Sequence, residues 1–552
     1  MDEKHVAALR RVVKPRLQLI TGDERDAFTD FRLYDIWRYF RLTWSTPYRS
    51  TPGRNLFYLV RDEGQPCHPI IGIAALANCV IGLKCRDDRI GWTADALANR
   101  MDAAHASGEA ALRGESWQIA QFLERHLEEG LRAIAPEGIA TRNTLAHPTP
   151  EAIEQIAALA LDAARERYEH LRNERRGAEE TPDDLNLLPP DALVATMAAE
   201  TRNEPREQRG SSTALFRRKR AAKIARLLQA KWLFQQKGLY DNPVAALPTL
   251  LWNEREWTNR DKRTPSEVGR SALRTALNAN KESKIGSAMM EIVVCGAVQP
   301  YSHLLGGKLV AMLLTSPEVV RDYEQRYGDR ASTIASQVAG HDVTRPAHLV
   351  YLGTSSLYAP PPAGEKKHAR PSSASQYNRV RIPADVAGGA GEIRYEYVGA
   401  TEGYGVVHFS ADTRKALEDL DVIVHDAKRV NSIFGEGTSP RLRKIRRGIE
   451  LLGLDDRFLV HGQARLVYAI DLAHNSARYL RGEEEAPDYI FPRTRPAKAT
   501  KKIGDYWLRR WLASRLDHAP ALESVARFAP QHIAVSQLLP VQADSASGTL
   551  DL

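Results

Sequence analysis

Gly306 and Gly307 stand where backbone amides can meet a ligand. They lie between an apolar, β-branched run (Ile292, Val293, Val294, Val298) and a segment whose apolar residues recur at helical spacing. Glycine has no Cβ to hold a ligand off, and the positive end of a following helix favours an anion, so a phosphate or pyrophosphate is the expected guest. The same pair would also serve a tight β-to-α connection in which glycine only relieves crowding, and the full phosphate-loop pattern is missing around it. A second chemistry lies in residues 215–231 (LFRRKRAAKIARLLQAK), a basic amphipathic helical segment whose Arg217, Arg218, Lys219, Arg220 and Lys223 suit phosphate neutralisation. Acidic residues that would balance this face are missing nearby, although a solvated helix face reads the same way. Residues 441–447 (RLRKIRR) form a second basic run with Arg441, Arg443, Lys444, Arg446 and Arg447. Arg86, Asp87, Asp88 and Arg89 set carboxylates beside guanidiniums. Adjacent carboxylates suit acid–base chemistry or a metal, but alternating charges on a polar loop are expected to pair with one another and with water.

A chain of 552 residues must position these groups; it exceeds one hydrophobic core and suggests about three domains at ~150 residues each. A net charge of +8 from 77 basic and 69 acidic residues permits nucleic-acid contact without requiring it. The four cysteines, Cys67, Cys79, Cys85 and Cys295, lack CxxC spacing, which argues against a disulfide framework and a structural zinc site, so no metal is expected. The first residues, MDEKHVAALRRVV, include acids and no apolar core of signal-peptide length. Nowhere do about 18 uncharged apolar residues run together. The expectation is a soluble, cytoplasmic protein without membrane contact.

The elements follow in order. Residues up to about 50 have helical spacing, with Phe31, Tyr34, Trp37, Tyr39, Phe40 and Trp44 expected in the core. Residues 55–60 and 70–75 predict an antiparallel hairpin across a turn with Gly64, Pro66 and Pro69. Residues 94–282 are rich in Ala, Leu, Glu and Arg and predict helices, broken at 180–190 and by a linker at 203–212. After the central strand and helix, residues 347–358 predict another buried strand, followed by a mobile loop at 360–374. Residues 393–398 and 405–410 predict two more strands, and the pattern past Asp412 is helical with a disordered tail. The whole predicts an α/β protein whose mixed-sheet core is split by a helical insertion. Its parts are 1–93 (N-terminal helices and first half of the core), 94–285 (insertion with the basic helix), 286–411 (second half of the core) and 412–552 (mostly helical).

Ordered blocks also resemble a known family. GRNLFYLV (53–60), IIGIAAL (70–76) and CRDDRIGW (85–92) look like the opening signature of the DruA family of the Druantia antiphage defence system. GSAMMEIVVCGAVQPYSHLLGGKLVAMLL (286–314), HLVYLGTSSLY (348–358), SQYNRVRIP (375–383) and YVGATEGYGVVHFS (397–410) resemble its longer members in the same order. The resemblance implies a bacterial antiviral role beside other Druantia proteins, including a large helicase-like protein, and carries over no catalytic residues. The order of elements is also similar to that of GNAT acyltransferases, whose glycine turn binds the pyrophosphate of acyl-coenzyme A. Here that turn is 303–308 (HLLGGK), implying a cofactor site at Gly306, Gly307 and Lys308, with His303 and Lys308 departing from the usual Gln/Arg and Gly/Ala. The same likeness would make Glu291 a general base and Tyr377 a general acid; a surface glutamate and a loop-bonding tyrosine are the plainer readings. The leading expectation is a defence component that binds DNA, RNA or a partner complex. An acyl-coenzyme A dependent transferase and a structural adaptor are its rivals, so enzymatic activity stays open.

Overall fold

The computed structural model describes residues 3–44, 53–175, 214–253, 263–356, 376–401, 403–406, 408–425, 440–462 and 464–534. The breaks expected at 180–190, 203–212 and 360–374, and the C-terminal tail, lie outside the described residues. Among the described residues nine strands form: β1 (Pro15–Ile20), β2 (Asn55–Asp62), β3 (Ile70–Ala77), β4 (Met289–Ala297), β5 (Tyr351–Ser356), β6 (Arg381–Pro383), β7 (Glu392–Arg394), β8 (Glu396–Ala400) and β9 (Leu466–Asp471). Seven make one mixed sheet in the order β1-β2-β3-β4-β5-β9-β8, while β6 and β7 pair separately. Among the described residues only β4 and β5 run parallel, and the helices between them supply the crossover that a parallel pair needs.

Helices α1 (Glu3–Val12), α2 (Leu33–Leu42) and α3 (Lys84–Ile90) precede the insertion, which contributes α4 (Ala94–Ala106), α5 (Glu109–Arg132), α6 (Pro150–Arg175), α7 (Ala214–Gln236), α8 (Pro243–Leu251) and α9 (Glu267–Ala288). The insertion has its own core, in which Leu97, Ile119, Leu123, Ile224, Leu228, Phe234 and Leu273 are buried together. Helix α9 runs directly into β4, so the insertion is joined to the sheet without a linker. Helices α10 (Lys308–Leu313) and α11 (Pro317–Tyr327) follow β4, and α12 (Ala411–His425), α13 (Pro440–Leu451), α14 (Ser476–Leu480) and α15 (Pro496–Trp507) complete the set used below.

One sheet face packs on α10, α11 and α15 through Tyr58, Met290, Ile292, Leu309, Tyr323, Ile503 and Trp507. Burying a side chain of this size contributes about 1.5–3 kcal/mol, so α15 is a structural part of the core. The opposite face is covered in two patches. Helix α2 packs Trp37 on Phe57, Leu59, Ile73 and Val294, with its indole N–H donating to the Ala74 carbonyl at 2.9 Å. Ile90, Ile285 and Leu480, near α3, α9 and α14, cover Met289, Tyr351 and Ala469.

Several expectations are corrected. Residues 15–20 are a strand, because Leu17 and Leu19 alternate with Arg16 and Gln18 and find a partner in β2. Phe31 of the aromatic cluster is 67% exposed while Trp37 is buried. The charged stretch at 84–90 is helix α3, stopped by Gly91 at φ 98°, and Arg86 and Asp87 are buried within it. Residues 405–410 form no strand among the described residues; Tyr404 makes only an isolated bridge to Val460. Strand β9, from the helical C-terminal range, lies between β5 and β8 because Val467, Tyr468 and Ala469 pair on both sides.

Candidate nucleic-acid interface

Three basic helices differ in how their charge is balanced. On α7, acids distant in sequence supply the partners missing locally. Arg217 pairs with Glu166 of α6, and Lys223 Nζ lies 2.6 Å from a Glu282 carboxylate oxygen of α9. Arg220 is buried and donates to the Ala135 carbonyl at 2.9 Å. Arg218 and Lys219 are half-buried and engaged as well. The helix is packed on several sides, burying Ala221, Ile224, Leu227, Leu228 and Phe234, so it is an internal strut of the insertion more than an amphipathic surface helix.

On α13, Arg441 pairs with Glu418 of α12. Arg446 lies 3.3 Å from Glu450 and 3.4 Å from Asp456, and Arg447 3.5 Å from Glu450. Arg443 and Lys444 are half-buried beside Ile445, which is fully buried. Exposed pairs of this kind contribute about 0–1 kcal/mol each, yet they lower the positive potential offered to a phosphate.

The third is α15 and its continuation to Leu516. Between Pro496 and Leu516 the only acid is Asp505, and Arg10 of α1 takes both its oxygens at 2.7 and 2.5 Å. Lys498, Lys501, Lys502, Arg509, Arg510 and Arg515 are exposed. Among the described residues none of these six has a carboxylate within salt-bridge distance. The inward face carries Ala499, Ile503, Trp507, Leu508 and Leu512 into the core, which fixes the basic face outward.

The glycine pair adjoins this surface. Gly306 ends a short helix, Ser302–Leu305, with φ 54°, and Gly307 precedes α10. The pair therefore lies between two short helices, separated from the end of β4 at Ala297 by a turn and the helix Ser302–Leu305. With α10 only six residues long, attraction for an anion comes from side chains. Lys308 Nζ is 5.7 Å from the Trp511 ring centre and the Arg510 guanidinium 5.4 Å from it. Burial, then Arg379, Arg515 and Arg510, hold the Lys308 ammonium below its ordinary pKa.

Tyr377 lies close to this turn. Strands β4 and β5 pair only from Met289↔Tyr351 to Ile292↔Thr354, after which β4 follows β3 and β5 follows β9. Beyond that point Cys295 Sγ approaches the Gly307 carbonyl at 3.8 Å. The Tyr377 hydroxyl contacts Cys295 and Thr354, and its ring stacks on Tyr395 at 5.1 Å. Burial pushes the Cys295 thiol up to about 12 against the opposing Tyr377 hydrogen bond, so it is neutral and a poor nucleophile.

Glu291 is on the other face. Its neighbours Met290 and Ile292 share the core that holds Tyr377, and strand alternation turns Glu291 towards Cys79 and Tyr351. Burial lifts its carboxyl to about 7 against the pull of Arg86 and a Cys79 hydrogen bond. A Cβ on Gly353 would lie 2.6 Å from its Oε2. The structure therefore brings Gly306, Gly307, Lys308 and Tyr377 together and separates Glu291 from them.

The charged stretch of α3 is an internal tie. Asp87 accepts from Arg86 at 2.9 and 2.7 Å and from Lys281 of α9 at 2.5 Å. Arg89 donates to Glu396 of β8 at 2.7 Å and Asp471 of β9 at 2.6 Å. Among the described residues no group of three or more His, Cys, Asp or Glu side chains gathers as a metal site. No described helix is long and apolar enough to cross a membrane.

Sequence reading missed the cations of α15 and Arg379. The available signal was acid depletion across 496–516, which local charge density alone, highest at 217–220, concealed.

The family model described as Druantia protein DruA matches residues 6–106 and 273–482. The matched span includes Lys308 and Arg379, and excludes α15 and most of the insertion. The chain is also similar to the Druantia protein DruA of Escherichia coli (strain UMEA 4076-1), at 28% identity over 232 residues that cover 41% of this chain and 48% of that protein. The chain thus matches about half the length of this curated relative. No solved structure matches.

Proposed function

The chain belongs to the DruA family, and from that premise we propose that it acts in a Druantia antiphage defence system as a nucleic-acid-binding component. The observation that carries this reading is the unbalanced charge of Lys498, Lys501, Lys502, Arg509, Arg510 and Arg515, set beside Lys308 and Arg379. Cations already held by carboxylates have little left to offer a phosphate, whereas these release counterions from a backbone at full effect. The reading places the protein in the cytoplasm, consistent with four free cysteines, and beside other Druantia components, a helicase-like protein among them. Its test is the affinity of the purified chain for DNA and RNA across a salt series. The expected result is a log–log slope set by the number of phosphates contacted; absence of salt-sensitive binding to either polymer would sink the reading.

One observation favours a second reading, an acyl-coenzyme A dependent transferase. Past Ile292↔Thr354, where the β4–β5 pairing ends, Cys295 and Tyr377 lie beside the Gly306–Lys308 turn. Acetyl-coenzyme A should then raise the melting temperature. Gly306→Val, which places a β-branched residue at φ 54°, should remove that shift. No shift with any acyl-coenzyme A counts against this reading.

A further inference from the structure

The cations near the glycine turn are arranged differently from those along α15. Lys498, Lys501, Lys502 and Arg509 are strung over about 16 Å of helix at ~1.5 Å per residue, a spread suited to successive backbone phosphates. Lys308 and Arg510 instead converge on one ring, that of Trp511, at 5.7 and 5.4 Å, with the charges of Arg379 and Arg515 felt at the Lys308 ammonium. Among the described residues no carboxylate lies within salt-bridge distance of any of the four. A backbone diester carries one negative charge and would leave most of this field unanswered. A phosphomonoester carries roughly −1.5 to −2 near neutral pH and presents three acceptor oxygens, which suits several donors arriving from different elements.

The surroundings fit the end of a strand. Its chain neighbours aside, no atom of the described residues lies within 4 Å of the position a Gly306 Cβ would occupy, so that side of the turn is open to close approach. The half-buried Trp511 ring, with Lys308 and Arg510 over it and Tyr506 edge-on at 5.9 Å, anchors these cations at one place. Resting on the nucleic-acid reading above, we propose that Lys308, Arg379, Arg510 and Arg515 form a pocket for the terminal phosphate of a nucleic-acid strand.

The test uses the full chain and one internally labelled single-stranded DNA prepared with a 5′-phosphate, a 3′-phosphate or hydroxyls at both ends, followed by anisotropy at fixed salt. Additional charge-assisted hydrogen bonds to the monoester should make one phosphorylated form bind about tenfold tighter than the hydroxyl form. The Arg379→Ala/Arg515→Ala variant should lose that preference while still binding all three strands. Lys498→Ala/Lys501→Ala/Lys502→Ala should weaken all three alike and keep it. Equal affinity of the unaltered protein for all three overturns the pocket while leaving nucleic-acid binding intact, and failure to bind any strand overturns both. Persistence of the preference in the Arg379/Arg515 variant refutes the assignment to this cluster. Binding of ATP or coenzyme A there as tightly as the phosphorylated strand would make the ligand a small phosphate ester and overturn the strand-end assignment.

Discussion

Replacing Asp87 by Ala should loosen the attachment of the helical insertion to the sheet. Asp87 is 5% exposed, Arg86 1% and Lys281 7%. The carboxylate accepts two bonds from Arg86, one from Lys281 and one from the Leu83 backbone N–H at 3.2 Å. Arg86 keeps the Val80 and Ile81 carbonyls at 2.7 and 3.0 Å, so its guanidinium remains partly satisfied after the change. Among the described residues the Lys281 ammonium has no other side-chain hydrogen bond, so it would be left buried without its anion. Breaking a buried pair by removing one partner costs about 3–5 kcal/mol, and the retained Arg86 bonds place the expected loss towards about 3 kcal/mol. Urea unfolding followed by tryptophan fluorescence measures it, with amide exchange across α3 and α9 showing where opening increases. The companion Asp87→Ala/Lys281→Met variant removes both charges and should recover part of the loss. A single variant within about 0.5 kcal/mol of the parent, or a double variant less stable than the single, refutes the claim that this pair ties the insertion to the core.

Two further perturbations follow from packing and titration. Gly269→Ala would put a Cβ 2.2 Å from the Leu250 carbonyl oxygen, a backbone atom of α8. Overpacking there should cost about 1–3 kcal/mol, read as a lower urea midpoint with an unchanged slope. Glu291 has a folded pKa raised from its ordinary 4.5 to about 7. Its contribution is thus fully present below about 4.5, and is lost as pH rises through about 7. Glu291→Gln should therefore gain melting temperature relative to the parent as pH rises across that window. A difference that does not vary with pH contradicts the burial of this carboxyl.

Much of the core was legible because its local signals agree. Alternation and β-branching marked β2, β3, β4 and β5, and Ala- and Leu-rich spacing marked α4, α5 and α9. Strand β1 was harder to read, since its six residues follow helix α1 and become a strand only by pairing with β2. Helix α3 was masked by its charges, which look solvated until Lys281, Glu396 and Asp471 arrive from distant segments. The same non-local pairing explains the basic helices. Charge density made α7 look available, but its balancing acids Glu166 and Glu282 lie 51 and 59 residues away in sequence from their partners. For α15 the useful signal was the scarcity of acids, and its outward face was settled by Ile503, Trp507 and Leu508 entering the sheet core. The glycine turn was visible as a motif, while Arg379 and Arg515 join it only through the fold.

The central claim, that free cations on α15 carry nucleic-acid contact while paired cations on α7 do not, is tested most directly by salt titration of paired variants. Lys498→Ala/Lys501→Ala/Lys502→Ala/Arg509→Ala should flatten the log affinity against log salt plot for duplex DNA by up to about 0.9 per contact removed. Arg217→Ala/Lys223→Ala, which removes cations already held by Glu166 and Glu282, should leave the slope unchanged. The opposite pattern, a slope lost with α7 and kept without the α15 cations, would contradict the account.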